Sequence, residues 1–283
     1  MSLYIGNGGI LYKPSALSSF TFNSSVTFSC WIKVDSLSVG YARPVMQLTN
    51  TSGSDRAALM INTSNQIAAY SKTFNGDASS TTSGTIQAGK WHHVAAVIGG
   101  GSFRQAYLDG IAATASTTII NVSITATQLQ CGGYYIPSSS SLLQDPLLGF
   151  IAHPAMYYSF DVITAGRLSI GDIQRLSKMP PDHARKKDLY WAPDLSQNIA
   201  AEDGRVTIKT KSFRSASAQF AERNLLDFNV ILSGRSSKDE PPIQDPRSSF
   251  ASARFAFPDI TNKLRAQAAF LKPYTGILPI ADG

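Results

Sequence analysis

The chain has 283 residues, 43% of them hydrophobic, and a formal net charge of +6. This hydrophobic content excludes a mainly disordered chain, and abundant Ser, Thr and Gly with few Glu point to β-structure rather than helix. The basic residues are scattered, Arg185-Lys186-Lys187 being the longest cluster, so the positive charge does not form a nucleic-acid-binding arm.

The first twenty residues lack a charged start followed by an apolar core, so no secretion signal is expected, and no stretch has the apolar length of a membrane span. Residues 26–34 alternate cleanly, with Val26, Phe28, Cys30, Ile32 and Val34 on a core face and Thr27, Ser29, Trp31 and Lys33 on the other. Trp31 is then either covered by a loop or open as a ligand platform. Residues 44–49, 57–62 and 66–72 are short strands split by Asn, Ser and Gly clusters, which is the spacing of a sandwich. The small polar run 73–84 reads as a surface loop.

Residues 91–98 carry apolar side chains on both alternating faces, as a strand covered on both sides requires. Gly99-Gly100-Gly101-Ser102 breaks that strand, 103–108 returns, and Asp109-Gly110 suits a type I′ turn, so another strand starts at Ile111. Strands over 118–124 and 128–133, a loop over 137–145 and a long strand over 147–158 follow. Ser169 with Asp172 three residues on is a variant capping box, which predicts a helix over 170–177, ended by Pro180-Pro181.

Trp91, His92-His93, Val94-Ala95, the glycine-rich turn and Tyr107-Leu108-Asp109-Gly110 resemble the central hairpin of concanavalin A-like, laminin-G-like and pentraxin-like domains. Residues 20–37 resemble the family's early core strand with its Trp31, and 149–176 resemble the closing strand, aromatic pair and short helix. The resemblance implies an all-β fold: a two-sheet antiparallel concanavalin A-like jelly-roll sandwich over residues 1–180 with one short helix. It does not imply one function.

Some jelly rolls of this family are glycoside hydrolases, which flank the scissile bond with two carboxylates. Residues 1–180 contain no glutamate, and their seven aspartates are widely spaced, so no catalytic residue is assigned and an enzyme is not expected. His92 and His93 are strand neighbours that point to opposite faces and cannot chelate one ion together, so both read as structural. No cofactor is expected, with calcium, which laminin-G-like and pentraxin-like domains often hold near one rim, as the alternative; Gly149-Phe150-Ile151-Ala152-His153 departs from the family's acidic positions, which argues against it. Cys30 and Cys131 lie in apolar runs and read as buried thiols, with a single disulfide as the alternative. Sequons at Asn23, Asn50, Asn62 and Asn121 are expected by chance in so Ser/Thr-rich a chain. Trp31, Tyr134 and Tyr135 form the candidate ligand platform.

After residue 180 the character changes, since nine of the 14 prolines lie from Pro180 onward while aromatic residues persist. Residues 181–283 therefore read as an extended, proline-punctuated C-terminal arm for assembly contacts, which from about Ser196 to Gly283 contributes little to the jelly-roll core and docks on neighbouring subunits. Its anchors would be Phe213, Phe220, Phe228, Phe250, Phe255, Phe257, Phe270 and Tyr274. Together these features suggest a non-enzymatic virion protein: a decoration, fibre or tail-associated component of a tailed phage. It would assemble in the host cytoplasm with other virion proteins and copies of itself, without nucleic acid or membrane as partner. The alternative is a carbohydrate-binding lectin or adhesin domain that recognises host-surface glycans.

Overall fold

The computed structural model describes residues 2–5, 10–21, 24–37, 40–74, 76–99, 101–120, 124–134, 145–159, 167–179, 181, 189–192, 206–208, 228–231, 236–237 and 241–243. In chain order the strands are β1 (Ser2–Ile5), β2 (Ile10–Phe20), β3 (Ser25–Val34), β4 (Arg43–Thr49), β5 (Arg56–Ile61), β6 (Gln66–Thr73), β7 (Gly76–Thr85), β8 (His92–Gly99), β9 (Phe103–Leu108) and β10 (Ile111–Ala112). There follow β11 (Ile124–Cys131), β12 (Gly149–Ser159), helix α1 (Ile170–Leu176), β13 (Leu189–Trp191), β14 (Val206–Ile208), β15 (Phe228–Ile231) and β16 (Ser236–Ser237).

The pairings are antiparallel and make two sheets. The first runs β10-β9-β8-β3-β12-β1-β16, with β13 also on β12; the second runs β14-β15-β2-β11-β4-β5-β6-β7. Phe28, Ile32, Val94 and Ile98 from the first sheet meet Leu48, Leu59, Ile67 and Leu129 from the second in one core. The expected all-β sandwich is the observed fold. The alternation over 26–34 holds, because Val26, Phe28, Cys30, Ile32 and Val34 all lie in that core. Asp109 and Gly110 both adopt positive φ, 52° and 80°, and close the β9–β10 hairpin with Ile111 opposite Leu108.

A smaller apolar cluster covers the outer face of the first sheet. Ile173 and Leu176 of α1 pack with Ala95, Val97, Tyr107, Ala155 and Tyr157. This explains why β8 is apolar on both faces. The Ser169 hydroxyl accepts from Asp172 N and the Asp172 carboxylate accepts from Ser169 N, so the expected capping box starts the helix.

Three expectations need correction. Residues 76–85 form edge strand β7 rather than a loop: Ala78, Ser80 and Thr82 turn inward and are buried, and serine and threonine satisfy a strand whose other side faces solvent. The expected strand over 118–124 is irregular through Ile120, and β11 is one strand with a register shift between Thr127 and Leu129.

The third concerns the chain beyond residue 180, where the sandwich does not end. Leu189 and Trp191 are buried, Trp191 within the main core, and β14, β15 and β16 extend both sheets, so the compact unit spans Met1–Ile243. Short strands need only a few unbroken residues between prolines. Phe228 lies in β15 opposite Ile208. The anchors Phe213, Phe220, Phe250, Phe255, Phe257, Phe270 and Tyr274 lie outside the described residues.

Candidate functional site

Register brings a set of polar and aromatic side chains to the outer face of the second sheet. Gln47, Ala58, Tyr70 and Ser79 stand opposite one another across β4 to β7, and Thr49, Arg56, Lys72 and Asp77 make the neighbouring row. The residues between them in sequence, Leu48, Ala57 and Ala78, face the core, so alternation forces the two rows outward.

Tyr70 is the centre of this face. Its ring is half-buried, and its hydroxyl donates to the Asp77 carboxylate at 3.0 Å. Burial first, then that hydrogen bond, pushes its phenol up to about 12, so the hydroxyl keeps its proton. Arg56 stands between two rings, its guanidinium carbon 5.6 Å from the Tyr70 centroid and 5.2 Å from that of Tyr134. Lys72, Asp77 and Ser79 are exposed beside them.

Next to this open part, the face is closed by a polar ladder. Gln47 Nε2 donates to Gln130 Oε1 at 2.8 Å and to the Gly133 carbonyl at 3.5 Å, and Gln130 Nε2 donates to Gln128 Oε1 at 3.4 Å. Tyr134 continues the closure with a 2.9 Å hydrogen bond to the Gly53 carbonyl.

The expected ligand platform does not form as a unit. Trp31 belongs to the first sheet and is only 6% exposed, its ring packed 5.6 Å from that of its register partner His93. Tyr134 is 8% exposed on the second sheet, where it supports Arg56 rather than offering a ring. Tyr135 lies outside the described residues. Sequence reasoning missed Arg56, Tyr70 and Asp77. A signal was present in the alternation of 66–72, whose inward Ile67 and Ala69 put Tyr70 outward.

The histidine pair is structural. His93 Nε2 meets Ser29 Oγ at 2.9 Å, and complete burial pushes His93 down to about 3, so it is neutral. His92 Nε2 accepts from Gln87 N at 3.0 Å, which leaves Nδ1–H to donate to Asp109 at 2.8 Å. Asp109 also accepts from His93 N at 2.8 Å and so ties the turn to β8. Among the described residues, no group of three or more His, Cys, Asp or Glu could hold a metal ion. Cys30 and Cys131 are free buried thiols, both pushed up by burial. A recess of about 490 Å³ beside the start of α1 is lined in part by Phe103, Gln105 and Tyr107; Arg167 stacks 3.4 Å above the Phe103 ring, and Tyr107 donates to Gln105.

Among solved structures, a putative carbohydrate binding protein from Bacteroides ovatus is similar at 14% identity and TM-score 0.54, over 86% of this chain and 61% of that one. A native heptameric SAP-like pentraxin from Limulus polyphemus is similar at 10% identity and TM-score 0.45, over 62% and 81% of the two chains. Domain 4 of an extracellular arabinanase from Geobacillus stearothermophilus, in complex with arabinotriose, is similar at 18% identity and TM-score 0.44, over 60% and 72%. At these identities the likeness is one of fold. No curated protein matches the chain in sequence. The family model described as the concanavalin A-like lectin/glucanases superfamily matches residues 6–160, more than half of the 283, and the chain belongs to that superfamily.

Proposed function

We propose that this protein binds saccharide without catalysing its cleavage, on the outer face of β5, β6 and β7. One observation carries the reading: Tyr70 presents a half-open aromatic ring in the middle of a polar face, held in place by Asp77 and Arg56. A pyranose has an apolar face of C–H groups that covers an aromatic ring, and a rim of hydroxyls that Ser79, Lys72 and Asp77 can meet. The Bacteroides ovatus structure of the same fold is named a putative carbohydrate binding protein, which supports the reading.

Hydrolysis needs a carboxylic acid and a second carboxylate flanking the glycosidic bond. Asp77 is the carboxylate in the two rows around Tyr70, and its oxygen is already given to the Tyr70 hydroxyl. The test is a glycan array followed by calorimetry of the intact chain. Tyr70→Ala is expected to abolish binding while the protein still melts cooperatively, at a midpoint lowered by the loss of a half-buried ring and its hydrogen bond to Asp77. If the intact chain binds no glycan, or the variant binds as well, the reading fails.

The proline-punctuated, aromatic-bearing sequence after residue 180 favours a second reading on top of the first. In it the protein is displayed on a tailed-phage particle and docked by that stretch to neighbouring subunits, with its saccharide face toward the host. Mass spectrometry of purified particles decides this, because absence of the chain from them removes the virion role.

A further inference from the structure

The outer face of β5 and β6 contains an uncompensated juxtaposition. Arg56 and Lys72 are register partners, directly opposite on adjacent strands. Like charges in that position repel and destabilise a sheet. Among the described residues neither cation is within ion-pair distance of a carboxylate, where the one such pair is His92 with Asp109. Asp77, opposite Lys72 on β7, has its Oδ2 on the Tyr70 hydroxyl. Asp145 feels the field of Arg56, which offsets part of the upward push of burial, but makes no ion pair with it.

Arg56 is also oriented and unused. The rings of Tyr70 and Tyr134 hold its guanidinium from two sides, while its Nε is buried with no hydrogen-bond partner. A guanidinium offers parallel N–H groups that match two oxygens of one carboxylate or sulfate. A face bearing a fixed, unpaired fork and a second unpaired cation directly across from it is complementary to an anion.

We infer that the ligand is an acidic saccharide whose carboxylate or sulfate bridges Arg56 and Lys72 while a sugar ring lies on Tyr70. The inference rests on the saccharide reading given above. In this geometry Arg56 supplies two parallel donors, Lys72 supplies the point charge, and Tyr70 places the ring one row away. The anion cancels the repulsion between the two cations, so binding also stabilises the fold.

Calorimetry of the full chain tests this with three probes: a hexuronate oligosaccharide, its carboxyl-reduced neutral counterpart, and the neutral oligosaccharide after sulfation. An acidic probe is expected to bind at least about tenfold more tightly than the neutral one. Preference for the carboxylated or for the sulfated probe identifies the acid. Lys72→Met, an exposed change, and Arg56→Met are each expected to bring the acidic probe to the affinity of the neutral one. Arg56→Lys is expected not to restore it, because the parallel donors are lost. Thermal midpoints of the variants confirm that they fold, and Tyr70→Ala must also lose the acidic probe.

Equal affinity for acidic and neutral probes overturns the inference and leaves the saccharide reading standing. Failure of all three probes, with a positive glycan array elsewhere, likewise overturns only the inference. No binding in either assay overturns both. Retention of the acidic probe by Lys72→Met and Arg56→Met, or by Tyr70→Ala, also overturns it.

Discussion

Gly53 lies directly beneath the hydroxyl of Tyr134: the Tyr134 O–H donates to the Gly53 carbonyl at 2.9 Å, and a Cβ at position 53 would overlap the phenol oxygen. Gly53 also has φ of +72°, a conformation that residues with a Cβ adopt at a cost. The closure beside the candidate site therefore depends on one glycine.

Gly53→Ala is expected to destabilise the protein by about 1–3 kcal/mol, through steric overlap and backbone strain together. In Tyr134→Ala the overlap is removed, so adding Gly53→Ala should then cost only the part due to φ. Urea denaturation of the four proteins measures the coupling, and strict additivity would show that Gly53 and Tyr134 act independently.

Stability is expected to depend on His93 in acid. Its folded value, pushed down to about 3 by burial, lies below the ordinary 6.5, so the unfolded chain binds the proton more readily. Stability is then fully present above pH 6.5 and falls as the pH drops toward 3, by about 1.4 kcal/mol per pH unit within that window. His93→Gln should lack this component. Subtracting its stability curve from that of the parent isolates the slope, and a flat difference between pH 6 and 4 would refute it.

Arg104 is fully buried, donating from Nε to Ser71 Oγ at 3.1 Å and from one terminal nitrogen to the Thr118 carbonyl, while its other terminal nitrogen has no partner. No carboxylate pairs with it among the described residues. Arg104→Ala should cost about 3 kcal/mol, since it opens a cavity and orphans two acceptors. Arg104→Met should recover more than half of that, because it fills the space and buries no charge. Denaturant midpoints compare them, and equal losses would show that the hydrogen bonds outweigh packing.

Trp191 is 3% exposed within the main core although it lies beyond the proline pair at 180–181. Trp191→Ala is expected to cost about 3–5 kcal/mol, the usual range for emptying a buried indole site. A chain ending at residue 180 should be destabilised at least as much. If that shortened chain melts at the same temperature as the full one, Trp191 contributes nothing to the sandwich.

Much of the sandwich is legible in sequence because its causes are local. Alternation over 26–34 puts Phe28 and Ile32 inward whatever else the chain does, Asp109-Gly110 turns because those two residues tolerate positive φ, and Ser169 with Asp172 caps a helix through its own backbone. Where local causes are weak, the reading fails. Residues 76–85 are a strand only because β6 offers them a hydrogen-bonding edge, and Leu189 and Trp191 are buried only because pairing with β12 puts Leu189 in the outer cluster with α1 and Trp191 in the core between the sheets.

The candidate site belongs to this second kind. Sequence alone could put Tyr70 on an outward face, but Arg56, Lys72 and Asp77 are brought around it by registers 16 and 5 residues apart in the chain, and Tyr134 reaches Arg56 from another strand's end. Hydrophobic period decides which face a residue takes, since it depends on near neighbours alone. Which side chains then meet across strands depends on loop lengths and pairing, and those are settled only when the whole core closes.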